Sequence, residues 1–218
     1  MKIVNQFKLC SSVAALIVAS GFAQVVQADV IPYANVGFYN PTTYSFTATS
    51  TGNVTAFIIG GFTAGYENQM GLLVNGVLTG AGYGLNNHSS SLGQSFDLGA
   101  VTAGDTLTFV LHNISLGMDA YSDASMNTGY DLSGTDHNHI YSTAFSGTSP
   151  AISGVPAGTY VAFEDLQIPG ADFNYNDESF VFTNATSTHN VTVPEPSTLA
   201  LFGSTLLGLA WMRRRNVF

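Results

Sequence analysis

The densest group of side chains able to do chemistry lies between residues 164 and 178. Five carboxylates fall within these 15 residues, with no lysine or arginine among them: Glu164, Asp165, Asp172, Asp177 and Glu178. Carboxylates placed so closely repel one another unless something cationic joins them. Calcium suits such a group, because it accepts about six to eight oxygen ligands from carboxylates, amides and backbone carbonyls in flexible geometry. The pattern therefore predicts a Ca²⁺ site.

The spacing within this segment matches only the first half of an EF-hand loop. Asp172, Asn174 and Asn176 lie at alternate positions, as the first ligands of that loop do. Asp177 then stands where the loop requires glycine, and Thr183 stands where it requires a bidentate glutamate. The competing interpretation is that these side chains cap turns between two strands by bonding to nearby backbone N–H groups. The shortage of cationic residues favours the metal.

Basic residues are confined to the two ends of the chain. All five are Lys2, Lys8 and residues 213–215, so the segment 29–192 contains none. Of the fourteen acidic residues only Glu195 lies outside that segment, which leaves thirteen acids opposed by five histidines. Its carboxylates must be neutralised by backbone N–H groups, protonated histidine or a bound cation. Nucleic acid is disfavoured as a partner, because phosphate contacts need Lys or Arg.

Residues 1–28 have the three parts of a secretory signal peptide. A basic start precedes an apolar stretch from 13 to 23, and Ala28 ends a run of the kind that signal peptidase cuts. We therefore expect cleavage after Ala28. The only cysteine, Cys10, lies in this leader, so the mature protein has no thiol for a disulfide or a zinc site.

Short β-rich runs separated by Gly, Asn, Ser and Asp fill most of the remaining chain. We predict nine strands, at 44–49, 53–62, 70–77, 95–99, 105–114, 139–145, 159–165, 178–184 and 189–193. A period of two supports them, since Leu107, Phe109 and Leu111 share one face. Asn-Gly at 75–76 predicts a tight hairpin turn. The spacing indicates one all-β ectodomain, 29–192, with an antiparallel β-sandwich or jelly roll fold and no capped helix.

The longest stretch without a strand pattern is the polar segment 115–138. It contains four aspartates at irregular spacing, which favours turn capping over a metal site: Asp119, Asp123, Asp131 and Asp136. Loops this long in a compact domain are usually functional, ion-bound or mobile.

The five histidines give weaker signals. His137 and His139 lie two residues apart, so on a strand they would face the same side, as zinc ligands can. No third ligand is identifiable, and we interpret the pair as polar surface at a loop end. His88, His112 and His189 have no partner visible in the sequence.

The C-terminal segment 193–218 combines three features in a fixed order. Val193-Pro194-Glu195-Pro196 precedes an apolar run that ends at Met212, and three arginines follow. The 16 residues of 197–212 make a helix of only ~24 Å, shorter than the ~30 Å hydrocarbon core. The arginines place the tail's end in the cytoplasm and the ectodomain outside.

This order resembles the PEP-CTERM sorting tail of Gram-negative bacteria that secrete exopolysaccharide. The resemblance implies transient anchoring in the inner membrane, cutting near Pro-Glu-Pro by an exosortase, and release or transfer to the cell surface. An ordinary one-pass membrane anchor is the alternative.

The ectodomain carries a second resemblance. Phe163-Glu164-Asp165-Leu166, followed by the acidic run from 172 to Phe180, resembles a segment of a bacterial domain of unknown function found in secreted and adhesin-like proteins. In that domain the segment looks like a calcium-dependent β-domain signature. Matched by position, it implies these metal ligands: Glu164, Asp165, Asp172, Asn174 and Asp177.

These features predict an exported, calcium-stabilised protein of the cell surface or exopolysaccharide matrix, with no enzymatic activity. The alternative is a carbohydrate-binding module, because loop tyrosines can stack on sugars. The candidates are Tyr66, Tyr83, Tyr121, Tyr130 and Tyr175. A glycoside hydrolase is less favoured, because nothing selects a catalytic pair among the carboxylates. Expected partners are signal peptidase, an exosortase, the membrane before processing, and extracellular polysaccharide.

Overall fold

Residues 33–132, 134, 137–148 and 152–190 are described by a computed structural model of the chain. The predicted leader and sorting tail, including its short membrane helix, lie outside these residues, as does Asp136. Within the described ranges, no helix is both long enough and apolar enough to cross a membrane.

The described residues form an all-β structure, as predicted. Its eleven strands, in chain order, are β1 (Thr43–Ala48), β2 (Gly52–Gly60), β3 (Asn68–Val74), β4 (Val77–Leu78), β5 (Ser95–Val101), β6 (Thr106–Asn113), β7 (Met118–Tyr121), β8 (Ile140–Phe145), β9 (Gly158–Phe163), β10 (Glu178–Phe182) and β11 (Ala185–Asn190). All nine predicted strands have a counterpart, and their ends shift by up to four residues.

The strands form two antiparallel sheets. One sheet has the order β11-β1-β6-β3-β4, with β7 pairing the end of β6, and the other has the order β5-β2-β10-β9-β8. The first sheet pairs strands that are distant in sequence, such as β1 with β11, so the fold closes only when the whole domain is present. This arrangement confirms the predicted β-sandwich.

The main core lies between the sheets and follows from the strand alternation. Leu107, Phe109 and Leu111 all point into it, as their period of two predicts. Phe109 of one sheet stacks on Phe182 of the other, with ring centroids 3.7 Å apart. A second cluster, which includes Tyr33, covers the outer face of the five-stranded sheet β5-β2-β10-β9-β8.

The segment 115–138 is more ordered than its polarity indicates. It contains strand β7 and a short 3₁₀ helix, Ala124–Gly129, whose first turn is capped by the Asp123 side chain accepting from Ser125 N–H at 2.9 Å. The expectation of no capped helix was therefore wrong here. Strand β7 is only four residues long, too short for its alternation to stand out in the sequence, which is why sequence periodicity misses it.

The Asn-Gly pair forms the predicted hairpin turn between β3 and β4. Both residues adopt left-handed backbone angles, with φ of 50° at Asn75 and 83° at Gly76. The Asn75 side chain also donates to Asp105 at 2.9 Å and accepts from the Thr106 N–H at 3.0 Å. The turn is thereby tied to the start of β6.

We expect Asn75→Ala to destabilise the domain by about 1–2 kcal/mol, because it removes two hydrogen bonds and the preference for positive φ. Asn75→Gly keeps the backbone freedom and should cost less. Urea unfolding of both variants measures the two contributions separately. Equal costs for Ala and Gly would mean that the backbone angle contributes nothing.

Candidate metal centre

The connection between β9 and β10 carries all five predicted ligands. β9 ends at Phe163, and β10 begins at Glu178, which lies directly opposite Phe163 in the antiparallel register. Backbone hydrogen bonds fix both ends of this connection. The N–H of Asp177 donates to the carbonyl of Phe163 at 3.2 Å, and the N–H of Glu164 donates to the carbonyl of His139 at 2.9 Å. The two ends of the acidic segment therefore meet.

Strand alternation divides these side chains between the two faces of the sheet. Phe163 packs in the main core and Ala162 packs in the second cluster. Glu164 continues the alternation on the outer face, whereas Glu178, directly opposite Phe163, points inward. We name two groups: the outer carboxylates are Glu164, Asp172 and Asp177, and the inner carboxylates are Asp165 and Glu178.

Glu164 is buried without a hydrogen-bond donor. It is 1% exposed, and no described group donates to either carboxylate oxygen. The carboxyl groups of Asp177 and Asp172 are close enough to share a proton with it, but as carboxylates they only accept. Burial, together with the charges of Asp177 and Asp172, raises the pKa of Glu164 to about 8. Such a group must take up a proton or a cation.

Asp172 and Asn174 form the turns that the competing interpretation predicts. The Asp172 carboxylate accepts from the backbone N–H of Asn174 at 3.1 Å and from its side chain at 2.7 Å. The Asn174 side-chain oxygen in turn accepts from the N–H of Asn176 at 2.9 Å. In the described part of the chain, no three acidic or histidine side chains converge closely enough to share an ion as they stand. Binding at the outer carboxylates thus requires them to close around the ion.

Asp165 adjoins Asp177 and connects the outer carboxylates to the other sheet. Its carboxylate accepts from the Asn68 side chain of β3 at 2.7 Å, and its N–H donates to Asp177 at 3.0 Å. Burial, together with the charge of Asp177, raises the pKa of Asp165 to about 7. The structure thus brings four of the predicted ligands into one interacting group, Glu164, Asp165, Asp172 and Asp177, without closing any three of them around a single point.

His137 and His139 share a face, as predicted, but they are not polar surface. Asp131 accepts from both rings, at 2.7 Å from His137 Nδ1 and 2.8 Å from His139 Nε2. His139 is fully buried, and its Nδ1 faces the carbonyl of Glu164 at 2.9 Å. Because a carbonyl and a carboxylate both accept, the His139 ring satisfies both contacts only as the imidazolium.

Histidines take the place of the missing basic residues as hydrogen-bond partners of Asp131. Burial alone would raise the pKa of Asp131, but hydrogen bonds from His139 and from the Ile168 N–H outweigh it and lower that pKa. Every ion pair within the described ranges joins an aspartate to a histidine. The third pair, His112 with Asp119 at 2.7 Å, lies directly across β6 and β7. It was invisible in the sequence because β7 was not predicted.

Two of the five candidate sugar-stacking tyrosines are core residues, so that prediction was wrong for them. Tyr130 is 2% exposed and Tyr175 is 1% exposed. The Tyr175 hydroxyl accepts from the N–H of Asn40 at 2.9 Å, and the Tyr130 hydroxyl donates to the carbonyl of Asp165. Both tyrosines hold the acidic connection in place. Tyr83 stacks on His112 instead of lying open in a loop.

A cleft of about 520 Å³ opens beside the outer carboxylates. Its lining includes Asp177 with the polar side chains of Thr63, Asn174 and Asn176. Gly61 allows the backbone after β2 to lie close to the backbone of Asp177, because a Cβ at position 61 would stand 2.1 Å from the Asp177 carbonyl oxygen. An ion at the outer carboxylates could therefore be reached from solvent.

Residues 192–215 match the PEP-CTERM protein-sorting motif. The match makes this chain an exported protein that is transiently anchored in the membrane and processed by an exosortase. It starts one residue before the predicted segment 193–218 and ends three residues before that segment does. Comparison with curated proteins and with solved structures gives no match.

Proposed function

We propose that the ectodomain is a calcium-stabilised component of the cell surface or exopolysaccharide matrix of a Gram-negative bacterium. Signal peptidase removes the leader, and the exosortase step then releases or displays the folded domain. The proposal assigns no reaction to the ectodomain. Its role is to be a stable β-sandwich outside the cell.

The observation that supports calcium binding most directly is that the buried Glu164 carboxylate has no hydrogen-bond donor among the described residues. Two carboxylates lie beside it and no described group donates to it, so its negative charge is stable only with a cation. Asp177 and the turn side chains of Asp172 and Asn174 supply further oxygens within the same connection. This donor set is all oxygen, which suits calcium better than zinc or copper.

Calcium titration of the purified full-length chain tests the proposal. Glu164→Gln keeps the shape of the side chain and removes its charge, and we expect it to lose at least one bound calcium ion per chain. Asp172→Ala combined with Asp177→Ala should have the same effect. Glu67→Gln is the matched control, because Glu67 is only partly buried and already accepts from Asn86 at 2.7 Å. Wild-type stoichiometry in all the variants would contradict the proposal.

The cleft beside the outer carboxylates favours carbohydrate binding as a second candidate function. Thr63, Asn174 and Asn176 offer hydroxyl and amide groups, and Lys and Arg are missing from 29–192. Such a lining fits a neutral polyol better than an anionic ligand. Glycan-array binding in calcium tests this function, and Asn176→Ala should weaken any signal that comes from the cleft.

A further inference from the structure

We propose that a second divalent cation binds between the two sheets. Its ligands are the inner carboxylates, Glu178 and Asp165, and the side-chain oxygen of Asn68. This site shares no ligand with the outer carboxylates, although Asp165 adjoins Asp177. It does not depend on whether the outer carboxylates bind calcium.

Glu178 is the first reason for a second site. It is 0% exposed, and both of its carboxylate oxygens lack a hydrogen-bond donor among the described residues. Because it lies opposite Phe163, it points into the space between the sheets. A fully buried carboxylate costs several kcal/mol unless it is neutralised. In the described part of the chain its charged neighbours are Asp165 and Asp177, which are also acids.

Asn68 is the second and independent reason. Its Nδ2 donates to Asp165 at 2.7 Å and its backbone N–H donates to Asn87 at 2.9 Å, yet its buried Oδ1 has no donor within the described ranges. An amide oxygen left without a donor beside a buried carboxylate is a suitable ligand for a hard cation. The orientation of Asn68 is fixed from the side of β3, so the oxygen is positioned before an ion arrives.

The charges of the two groups also favour a cation over a proton. When both are deprotonated, Glu178 and Asp165 carry two negative charges, which a divalent ion neutralises while it also bonds to Asn68. Protonation of Glu178 would leave the Asn68 oxygen unsatisfied unless the new hydroxyl reached it. Oxygen ligands from two carboxylates and one amide suit Ca²⁺, and backbone carbonyls and water can complete its shell.

Calcium stoichiometry of the full-length chain separates this site from the outer one. We expect wild type to bind two ions, Glu178→Gln one, Glu164→Gln one, and the double variant none. Asp97→Asn is the control, because Asp97 is exposed on β5, where it accepts from the Asn53 side chain and the Gly99 N–H and contacts none of the proposed ligands. One ion lost only by Glu164→Gln would overturn the inner site and leave the proposed function intact. One ion lost only by Glu178→Gln would support the inner site and overturn the outer one.

A second measurement keeps the inner site testable if Glu178→Gln does not fold. The Tyr130 hydroxyl donates to the Asp165 carbonyl, so Tyr130 is placed to sensitise the luminescence of Tb³⁺ bound beside Asp165. With emission normalised to the amount of Tb³⁺ bound, we expect Tyr130→Phe to show a clear loss of sensitised emission from one of the two ions. Unchanged emission, or a wild-type calcium count in a folded Glu178→Gln variant, would show that Glu178 is simply protonated.

Discussion

Removal of calcium with EDTA should lower the melting temperature of the full-length chain by about 5–10 °C for each ion lost. An ion present at one hundred times its dissociation constant stabilises the folded state by about 2.7 kcal/mol. In a domain of this size 1 kcal/mol corresponds to about 2–4 °C. If the outer and inner carboxylates each hold an ion, their two contributions add.

Thermal melts in excess Ca²⁺ and in EDTA measure this shift. Sodium chloride at matched ionic strength is the control, because it screens the repulsion among the acids without occupying a site. Mg²⁺ should recover less of the shift, since it demands a smaller and more regular shell. Superimposable melts in Ca²⁺ and EDTA would remove the basis for the proposed function.

In EDTA, the stability of the domain should fall as the pH rises from about 5 to 8. The folded state raises the pKa of Glu164 to about 8 and that of Asp165 to about 7, mainly by burial. Burial also raises the pKa of Glu178 and of Asp177. In this range the folded chain thus holds protons that the unfolded chain has released. The stabilisation is complete below the unfolded pKa values and is lost through the folded ones.

Calcium should reverse this pH dependence, because it binds the deprotonated carboxylates. Urea unfolding at pH 5.5 and pH 8, with EDTA and with Ca²⁺, gives the four values needed. Each unit of separation between folded and unfolded pKa corresponds to about 1.4 kcal/mol, so a slope is measurable even if the groups interact. Glu164→Gln should flatten the slope in EDTA, and the histidines common to both proteins cancel in that comparison. A stability in EDTA that increases over this range would refute the assignment.

The sequence predicts the sandwich well, because its strands obey local rules. Leu107, Phe109 and Leu111 alternate toward the core, and Asn75 with Gly76 has the backbone freedom that its turn requires. Strand β7 is too short to show such a pattern in the sequence, and its pairing with the end of β6 is what defines it as a strand. The His112–Asp119 pair was missed for the same reason.

The sequence predicts which acidic residues lie in the β9–β10 connection but not how they are arranged. Sequence spacing places Glu164 and Asp165 side by side, yet only Asp165 bonds to Asn68 of the other sheet, whereas Glu164 is buried without a donor among the described residues. The inward direction of Glu178 depends on its register opposite Phe163, and the role of Asn68 depends on the packing of two sheets. Neither the register nor the packing can be read from the spacing of acids. His139 was taken for surface for a similar reason, because its partner Asp131 is fixed only by the folded loop.

The end of β11 is connected to the acidic connection through β1. Asn190 pairs with Thr43 at the start of β1, and the neighbouring Thr42 carbonyl accepts from Asn138, whose own carbonyl accepts from Tyr175 in the acidic connection. The sorting motif begins only two residues after Asn190. The acidic connection is thus joined by hydrogen bonds to the strand pair from which the chain continues into the sorting motif. Binding of divalent ions there would therefore stiffen the end of the sandwich on which the tail pulls.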